Sequence, residues 1–254
     1  MSDLAEPFSV PPDPFAMPVI CVCVSGGSGT RILGQILRRA GVFLGGNRNG
    51  AEDSLDLVDT IGLLALDGEA ALIRDPGTEP PPPALALWRE ALSRHLTGRP
   101  EGAVWGWQNP RSMFLLPLSL RLCPALRVIH VVRDGRDMAL STNQRQYRLH
   151  RPQGEDSPVA RAQFWSDSNL AVASFATDRL GPCYLRLRYE DVARDPAGCA
   201  AALFRSLDLP QFAAACADMP PGAPVPQRHT ALPPDSAPAV QAAALPGLRA
   251  FDYV

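Results

Sequence analysis

A glycine-rich turn, SGGSGT (residues 25–30), follows an apolar segment and precedes a helix-like one. Glycine lets the backbone curl so that successive N–H groups point inward, and two hydroxyl groups add further donors. A helix that begins next to the turn presents the positive end of its dipole. The turn therefore predicts an anion site, although a tight strand-to-helix turn would have a similar composition. Its residues are Ser25, Gly26, Gly27, Ser28, Gly29 and Thr30.

The loop lacks a lysine, because all 24 basic residues of the chain are arginine. The Walker A pattern GxxxxGK[ST] is therefore absent, and glycines at 26, 27 and 29 do not fit GxGxxG. A conventional ATPase or dehydrogenase is disfavoured. Arg31, directly after the loop, is predicted to supply the positive charge; the alternative is a solvated arginine in the first turn of a helix.

A second candidate anion site lies in VIHVVRDGRDMALS, where Arg133 ends a predicted strand and Ser141 follows eight residues later. A guanidinium at a strand end and a hydroxyl two turns along a helix can close on one phosphate. Arg133 could instead form a structural salt bridge with Asp134 or Asp137. Two anion sites at neighbouring strand ends suggest a ligand with two separated anionic groups.

Elements of regular structure must position these residues. Apolar runs predict strands over residues 18–24, 103–108, 126–133 and 183–190. Helical spacing predicts helices over residues 31–40, 55–66, 85–96, 112–122, 135–146, 159–177 and 197–207. The alternation predicts a single α/β domain with a mainly parallel sheet flanked by helices. Ligands bind beyond the carboxyl ends of such strands, so the loops after Val24, Gln108, Val132 and Arg188 should converge on one crevice.

The rest of the chain gives coarser expectations. Residues 1–17 read as a flexible arm and 18–254 as one domain, which includes a proline-rich loop or lid at 218–238. A net charge of −2 argues against a nucleic-acid binder. Six cysteines without metal spacing predict core thiols in a reducing compartment. The sequence has no signal peptide and no apolar run near the ~20 residues of a membrane span, which predicts a cytoplasmic protein.

Four motifs together closely resemble the sulfotransferase family that uses 3′-phosphoadenosine 5′-phosphosulfate (PAPS). SGGSGT resembles its 5′-phosphosulfate loop, and HVVRDGRDMALS its 3′-phosphate motif. LRLRYEDVARDP is similar to a later motif whose tyrosine, here Tyr189, contacts adenine. WGWQNPR resembles a segment that commonly has lysine where Gln108 stands. The resemblance covers about residues 18–210, in the family's order.

The resemblance implies a P-loop-like nucleotide-binding fold and transfer of the sulfuryl group from PAPS. The acceptor would be a hydroxyl or amine of a small molecule, a carbohydrate or another compound, with 3′-phosphoadenosine 5′-phosphate (PAP) as the other product and no metal. PAPS would be bound by the glycine-rich turn, Arg31, Arg133, Ser141 and Tyr189. Arg228, beside His229, would belong to a basic loop over the 3′-phosphate. Gly27 and Gln108 occupy usual basic positions, so Arg31 and neighbouring arginines (Arg48 or Arg111 next) would supply the missing charge.

The general base is the remaining catalytic role. Some family branches use a carboxylate about twenty residues beyond the first loop, where this chain has Glu52, Asp53 and Asp56. We favour Glu52 and Asp53, although acidic residues before a helix also stabilise its dipole. Of the histidines, His130 reads as a core residue, whereas His95 and His150 are predicted on the surface.

Two other functions compete with a sulfotransferase. One is a nucleotide or small-molecule kinase with an unusual phosphate loop, which the missing lysine disfavours. The other is a non-catalytic protein that binds PAPS or a nucleotide, which Gly27 and Gln108 make plausible. The sequence does not specify the acceptor or the oligomeric state.

Overall fold

The computed structural model describes residues 13–16, 19–24, 31–50, 52–74, 77–209, 214, 216–220, 222 and 225–254. The glycine-rich turn at 25–30 therefore lies outside the described residues, as does most of the predicted arm. Within residues 13–16, Phe15 is buried and packs edge-on against Trp105, whose indole N–H donates to Pro14 O. The domain boundaries stay a prediction.

Four parallel strands form the central sheet: β1 (Val19–Val24), β2 (Trp105–Gln108), β3 (Leu126–Val132) and β4 (Tyr184–Arg188). Their order is β2-β1-β3-β4, with Val22 opposite Gln108 and Val132 opposite Arg188. All four carboxyl ends lie at one edge of the sheet. The predicted α/β architecture with a parallel sheet is confirmed.

Burial on both faces explains why β1 is a continuous apolar run. Val19 and Cys21 belong to the core on one side of the sheet, and Ile20 and Val22 to the core on the other. Successive side chains of a strand point to opposite faces, so a strand covered on both faces needs apolar residues at every position. This strand ends directly before the glycine-rich turn.

Ten α-helices surround the sheet within the described residues. They are α1 (Arg31–Arg39), α2 (Val58–Arg74), α3 (Pro82–His95), α4 (Leu116–Leu122), α5 (Gly135–Ala139), α6 (Arg145–His150), α7 (Pro158–Leu180), α8 (Tyr189–Arg194), α9 (Pro196–Ser206) and α10 (Ala237–Ala250). Short 3₁₀ turns span Leu55–Leu57, Pro110–Leu115, Gly181–Cys183 and Arg228–Ala231.

The helix predicted over 135–146 is wrong in its length. The chain leaves the helix after Ala139 and re-enters at Arg145. Gln144 explains the break, because its side-chain amide donates to the carbonyls of Met138 and Ser141 at 2.8 and 2.9 Å. These bonds satisfy carbonyl groups that a continuous helix would have paired with backbone N–H groups.

The cysteines and His130 were predicted to be core residues, and the structure bears this out for His130 and for three of the described cysteines, Cys21, Cys123 and Cys216. The cysteines at 21, 123, 183, 199 and 216 are free thiols. His130 is fully buried between Tyr184 and Asn169, as predicted for a core histidine, and burial lowers its pKa to about 4. Among the described residues, no helix is long and apolar enough to cross a membrane.

Candidate functional site

A large cavity of about 800 Å³ opens at the carboxyl ends of the strands. Its wall comes from α1, the residue after β3, the start of α8 and the proline-rich segment near residue 226. Residues that line it include Ile32, Arg39, Arg133, Tyr189, Pro226 and Arg228. Three of the predicted cofactor-binding residues, Arg133, Tyr189 and Arg228, thus line one cavity.

Arg133 enters this cavity as a buried cation with weak partners. Its side chain is only 9% exposed, and its contacts to Pro226 O and Asp137 Oδ2 are long, at 3.4 and 3.6 Å. Its Nε lacks a hydrogen-bond partner among the described residues. A buried donor without a partner costs free energy, so the guanidinium is well suited to an anion in the cavity.

Tyr189 adds an aromatic surface next to this charge. The Arg133 guanidinium carbon lies 5.2 Å from the centre of the tyrosine ring, within the range of a cation–π contact. Tyr189 is the first residue of α8, directly after β4, so the sheet edge fixes its position. The side chain is only partly buried, and the cavity can therefore offer an aromatic surface to a planar ring.

The proline-rich segment holds the other side of the large cavity. Pro226 O accepts from Arg133, and both the backbone N–H and the ring Nδ1 of His229 bond to Asp137 Oδ1, at 2.9 and 2.6 Å. Asp137 is 3% exposed. Its carboxylate lies closer to His229, at 2.6 Å, than to Arg133, at 3.6 Å. The exposed Arg228 lines the cavity beside these anchors.

Ser141 lies beyond the end of α5 instead of on a helix. It is buried, its hydroxyl accepts from the N–H of Asn143 at 3.3 Å, and it does not line the large cavity. Of the two alternatives for Arg133, the salt bridge exists only with Asp137, because Asp134 pairs with Arg136 at 2.6 Å. A shared phosphate between Arg133 and Ser141 stays a prediction.

A smaller cavity of about 360 Å³ has Asp53 on its wall. It is formed by the loop before α2, the residues after β2 and the first turn of α6. Polar residues and apolar residues share its wall: Asn49, Asp53, Leu55, Asn109, Arg111, Arg145 and Leu149.

The three candidate carboxylates have different partners. Glu52 binds Arg38 at 2.8 Å and Arg48 at 3.5 Å, and Asp56 accepts from Asn47. Asp53 accepts from Asn49 Nδ2 at 3.0 Å and from the amide of Gln108, both neutral groups. Burial raises the pKa of Asp53, against the lowering effect of these two hydrogen bonds. Asp53 lines the smaller cavity and, with neutral partners, is better suited than Glu52 to take up a proton.

Gln108 lies between Asp53 and the helix α1. It is fully buried at the end of β2, and its backbone carbonyl accepts from the N–H of Ser54 at 3.0 Å. A Cβ added to Gly34 in α1 would lie 2.6 Å from Glu52 Cβ and 3.3 Å from Gln108 Oε1. Gly34 thus allows α1 to approach Glu52 and Gln108 closely. Three of the predicted catalytic residues, Glu52, Asp53 and Gln108, are therefore neighbours beside α1.

The predicted surface positions of His95 and His150 are wrong. His95 is fully buried between the Ser54 hydroxyl and Gly106 O, and burial lowers its pKa. His150 is also buried, with Nδ1 2.5 Å from Glu69 Oε2 and Nε2 accepting from Arg111 Nε at 3.2 Å. Each histidine is satisfied by partners far away in the sequence, which hydrophobic spacing does not reveal.

The arginines predicted to replace the missing lysine, Arg31, Arg48 and Arg111, lie in three different surroundings. Arg31 is exposed as the first residue of α1, directly after the glycine-rich turn. Arg48 is held by Glu52 and Gly45 O, and Arg111 lines the smaller cavity. Arg38 and Arg39 at the end of α1 line the large cavity and were missed. Their spacing from Ile32 and Gln35 on the same helix was the available signal.

No metal centre accompanies these residues in the part of the chain that the structure describes, where no three His, Cys, Asp or Glu side chains are grouped to hold an ion. The candidate site consists of two cavities: Arg38, which pairs with Glu52, lines the large one, and Asp53 lines the smaller one. One offers an arginine-lined wall with an aromatic ring, and the other a carboxylate with two arginines.

One comparison with known proteins identifies a family. A sequence model of the sulfotransferase family matches residues 28–213. A comparison with curated proteins gave no match. A sulfotransferase from Alicyclobacillus acidocaldarius has a TM-score of 0.57 and 16% identity, covering 94% of this chain and 95% of its own.

Two mycobacterial structures are similar to a comparable degree. The sulfotransferase STF9 from Mycobacterium avium has a TM-score of 0.52 and 15% identity, covering 94% of this chain and 78% of its own. The sulfotransferase STF1 from Mycobacterium tuberculosis has a TM-score of 0.51 and 15% identity, covering 89% of this chain and 76% of its own. At such identities, the three structures show the shared fold.

Proposed function

Because the chain belongs to the sulfotransferase family, we propose that it transfers the sulfuryl group of PAPS to a hydroxyl or amine of a small acceptor. The observation that carries the proposal is the under-bonded, buried Arg133 in a cavity that Tyr189 and Arg228 also line. PAPS would supply the sulfuryl group. It has two anionic ends, a 3′-phosphate and a 5′-phosphosulfate, and different residues would bind each end.

The 3′-phosphate end would lie in the large cavity. Arg133 would donate to a phosphate oxygen through the Nε that has no partner in the described structure. A charge-assisted bond of this kind is stronger than its long contact with Pro226 O. Tyr189 would contact the adenine ring, and Arg228 would cover the phosphate from the proline-rich segment. Ser141 would donate its hydroxyl proton to the same phosphate.

The 5′-phosphosulfate end would lie where α1 begins. The turn of Ser25 to Thr30 directly precedes Arg31, and the N-terminus of a nine-residue helix favours an anion. Arg31 would stabilise the charge that grows on the leaving phosphate. Gln108 is neutral. It lies at the end of β2, next to Gly34 of α1, and would orient Asp53 through a hydrogen bond.

Asp53 would act as the general base for an acceptor in the smaller cavity. The acceptor oxygen forms its bond to sulfur while the bond between sulfur and the bridging oxygen of the phosphosulfate breaks. The acceptor proton goes to Asp53, and the electron pair of the broken bond stays on the phosphate. Glu52 would hold Arg38 and Arg48 in place beside this reaction path.

Transfer of a radiolabelled sulfuryl group from PAPS to a mixture of hydroxyl and amine acceptors tests the proposal. Label should appear in an acceptor, and PAP should be released in equal amount. A parallel assay with ATP labelled at the γ-phosphate tests the kinase alternative. Phosphate transfer without sulfuryl transfer would overturn the proposal, and PAP binding with neither transfer would indicate a non-catalytic protein.

A further inference from the structure

The smaller cavity has more positive than negative charge on its wall. Arg111 and Arg145 line it together with one carboxylate, Asp53. Two guanidinium groups thus face a single carboxylate on this wall. A cavity for a neutral acceptor would not need two arginines, since the sulfuryl donor occupies the other side of the site.

Arg111 is oriented toward this cavity by a chain of buried groups. Its Nε donates to His150 Nε2 at 3.2 Å, and His150 Nδ1 lies 2.5 Å from Glu69 Oε2. An arginine can only donate, so His150 accepts at Nε2 and donates from Nδ1, which makes it a neutral imidazole. The two terminal amino groups of Arg111 form no hydrogen bond with a described residue, and Arg111 is one of the residues that line the cavity.

The charge of Arg111 is not cancelled by Glu69. Arg151 already binds Glu69 through two bonds, at 2.7 Å to Oε1 and 3.1 Å to Oε2. Such bidentate pairs are among the stronger ion pairs in proteins. Because the imidazole between them is neutral, the group of four residues keeps the net positive charge of Arg111 at the cavity wall.

Arg145 provides a second charge on the same wall. It is exposed at the first position of α6, and the structure gives its guanidinium no ion-pair partner among the described residues. Arg111 and Arg145 are near enough to repel each other, since Arg145 contributes to lowering the pKa of Arg111 after burial itself. Like charges held on one cavity wall are stabilised when an anion binds between them.

Apolar side chains complete the cavity. Leu55 and Leu149 are 40% and 41% exposed and lie on the wall with the arginines, and the buried Ile61 lines it as well. Exposed leucines at a concave surface can be covered by an apolar ligand, which releases water from both. The cavity therefore combines an apolar surface, two arginines and the carboxylate Asp53.

We infer that the acceptor is an organic acid with an apolar body, whose anionic group is bound by Arg111 and Arg145 while its hydroxyl or amine faces Asp53. This inference rests on the proposed sulfotransferase function, because it assigns the smaller cavity to the acceptor. Arg111 is the main anchor, and Arg145 adds a weaker, solvent-screened attraction.

Matched acceptor pairs that differ only in charge test the inference. The probes are 4-hydroxyphenylacetate against 4-hydroxyphenylacetamide and N-acetyltyrosine against its amide, titrated by calorimetry into the PAP complex. We expect each acid to bind at least about tenfold more tightly than its amide. Arg111→Gln should remove most of this preference, and Arg145→Gln should reduce it about threefold.

Arg148→Gln is the matched control, because Arg148 is an exposed arginine of the same helix that pairs with Asp156 outside the cavity. It should keep the full preference. Because Arg145 is exposed, its variant should fold even if Arg111→Gln does not. Equal binding of acid and amide, no binding of either acid at roughly 10 mM, or an unchanged preference in Arg145→Gln would overturn the inference.

This titration, together with the assay of sulfuryl transfer from PAPS, separates the inference from the proposed function. If the wild type transfers a sulfuryl group to neutral hydroxyl compounds but shows no preference for acids, the inference is wrong and the function stands. If acids bind preferentially but no sulfuryl group is transferred from PAPS, the proposed function fails while the anion site remains.

Discussion

Two adjacent carboxylates, Glu52 and Asp53, differ in chemistry because their partners differ. Glu52 is paired with two arginines, Arg38 at 2.8 Å and Arg48 at 3.5 Å. Asp53 has amide partners, is partly buried and lines a cavity. Of the two, Asp53 is the better proton acceptor for a group bound in that cavity.

Replacement of Asp53 by asparagine should therefore lower turnover by about 10²–10⁴-fold, the usual contribution of a general base. PAP binding should be unchanged, because Asp53 does not line the large cavity. In the wild type, kcat should rise with pH through the pKa of Asp53, which burial raises, since only the charged form accepts a proton. Steady-state kinetics over a pH series measures the loss of turnover and the pH dependence of kcat, and inhibition by PAP measures its binding.

Glu52→Gln is the matched control for Asp53→Asn. It removes a charge from the neighbouring position but leaves Asp53 intact, and we expect less than a tenfold loss in turnover. A full loss in Glu52→Gln with an active Asp53→Asn enzyme would assign the base to Glu52 instead.

Arg31 is predicted to act on the leaving phosphate. Arg31→Ala should reduce turnover by about tenfold or more while PAPS affinity changes less, because the charge it meets grows in the transition state. Arg31→Lys should recover only part of the activity, since a lysine lacks the planar fork of the guanidinium.

Arg249→Ala, at an exposed position in the last turn of α10, is the control for removing one arginine and should keep full activity. If Arg31→Ala turns over at the wild-type rate, the backbone of the glycine-rich turn is sufficient and the charge comes from another residue. Comparison of kcat with the PAPS dissociation constant gives the answer.

At the scale of elements, packing between α1 and the Glu52–Gln108 junction determines the geometry of the site. A Cβ at Gly34 would meet Glu52 Cβ at 2.6 Å, which is closer than carbon atoms can approach without movement. The helix and the junction must therefore separate if this glycine is replaced.

Gly34→Ala should destabilise the fold by about 1–3 kcal/mol through overpacking. The higher helix propensity of alanine should offset up to about 1 kcal/mol of this loss. Activity should fall as well, because Gln108 and Glu52 shift. Gly46→Ala, where an added Cβ meets nothing within 4 Å, is the control and should be neutral. Urea unfolding and kinetics measure the two effects, and a Gly34→Ala protein of wild-type stability and activity would refute the packing argument.

Elements held by local patterns could be predicted from the sequence, whereas those held by distant contacts could not. The apolar runs of β1 and β3 indicate strands because both faces are buried. The end of α5 depends on the Gln144 side chain, and α10 contains Pro246 and Gly247, which disfavour a helix. The helix α10 forms nevertheless because Gly247 packs against Trp165 and its N–H donates to Ser166 Oγ.

The same distinction applies to the site. The rule that ligands bind at the carboxyl ends of parallel strands brought Arg133 and Tyr189 to one cavity, whereas the loop after Gln108 lines the smaller cavity instead of the same crevice. The Arg111–His150–Glu69 chain could not be predicted, because its hydrogen bonds join residues 39 and 81 positions apart. Spacing within one helix carries no information about such partners.

At the scale of the whole molecule, His130 links core stability to pH. It is buried between Tyr184 and Asn169, and its pKa is lowered from 6.5 to about 4. The unfolded chain therefore binds a proton at higher pH than the folded protein does. Stability should fall as pH decreases from 6.5 towards 4, by up to about 3 kcal/mol from this group.

Urea unfolding at pH 7 and pH 5 measures this dependence in the wild type and in His130→Gln. The variant should show a shallower loss between the two pH values, whatever its stability at pH 7. Some dependence should remain, because burial also lowers the pKa of His95. An identical pH dependence in both proteins would show that His130 does not contribute.

Calorimetry with PAP and adenosine 5′-monophosphate shows whether the large cavity binds an adenosine nucleotide through its 3′-phosphate, as we propose. Wild-type protein should bind PAP far more tightly, because the monophosphate lacks the 3′-phosphate. Arg133→Ala should weaken PAP binding by about 2–4 kcal/mol, because a buried charged partner is lost, and leave the monophosphate nearly unchanged. Equal affinity of the wild type for the two nucleotides, or an equal loss of both in Arg133→Ala, would contradict it.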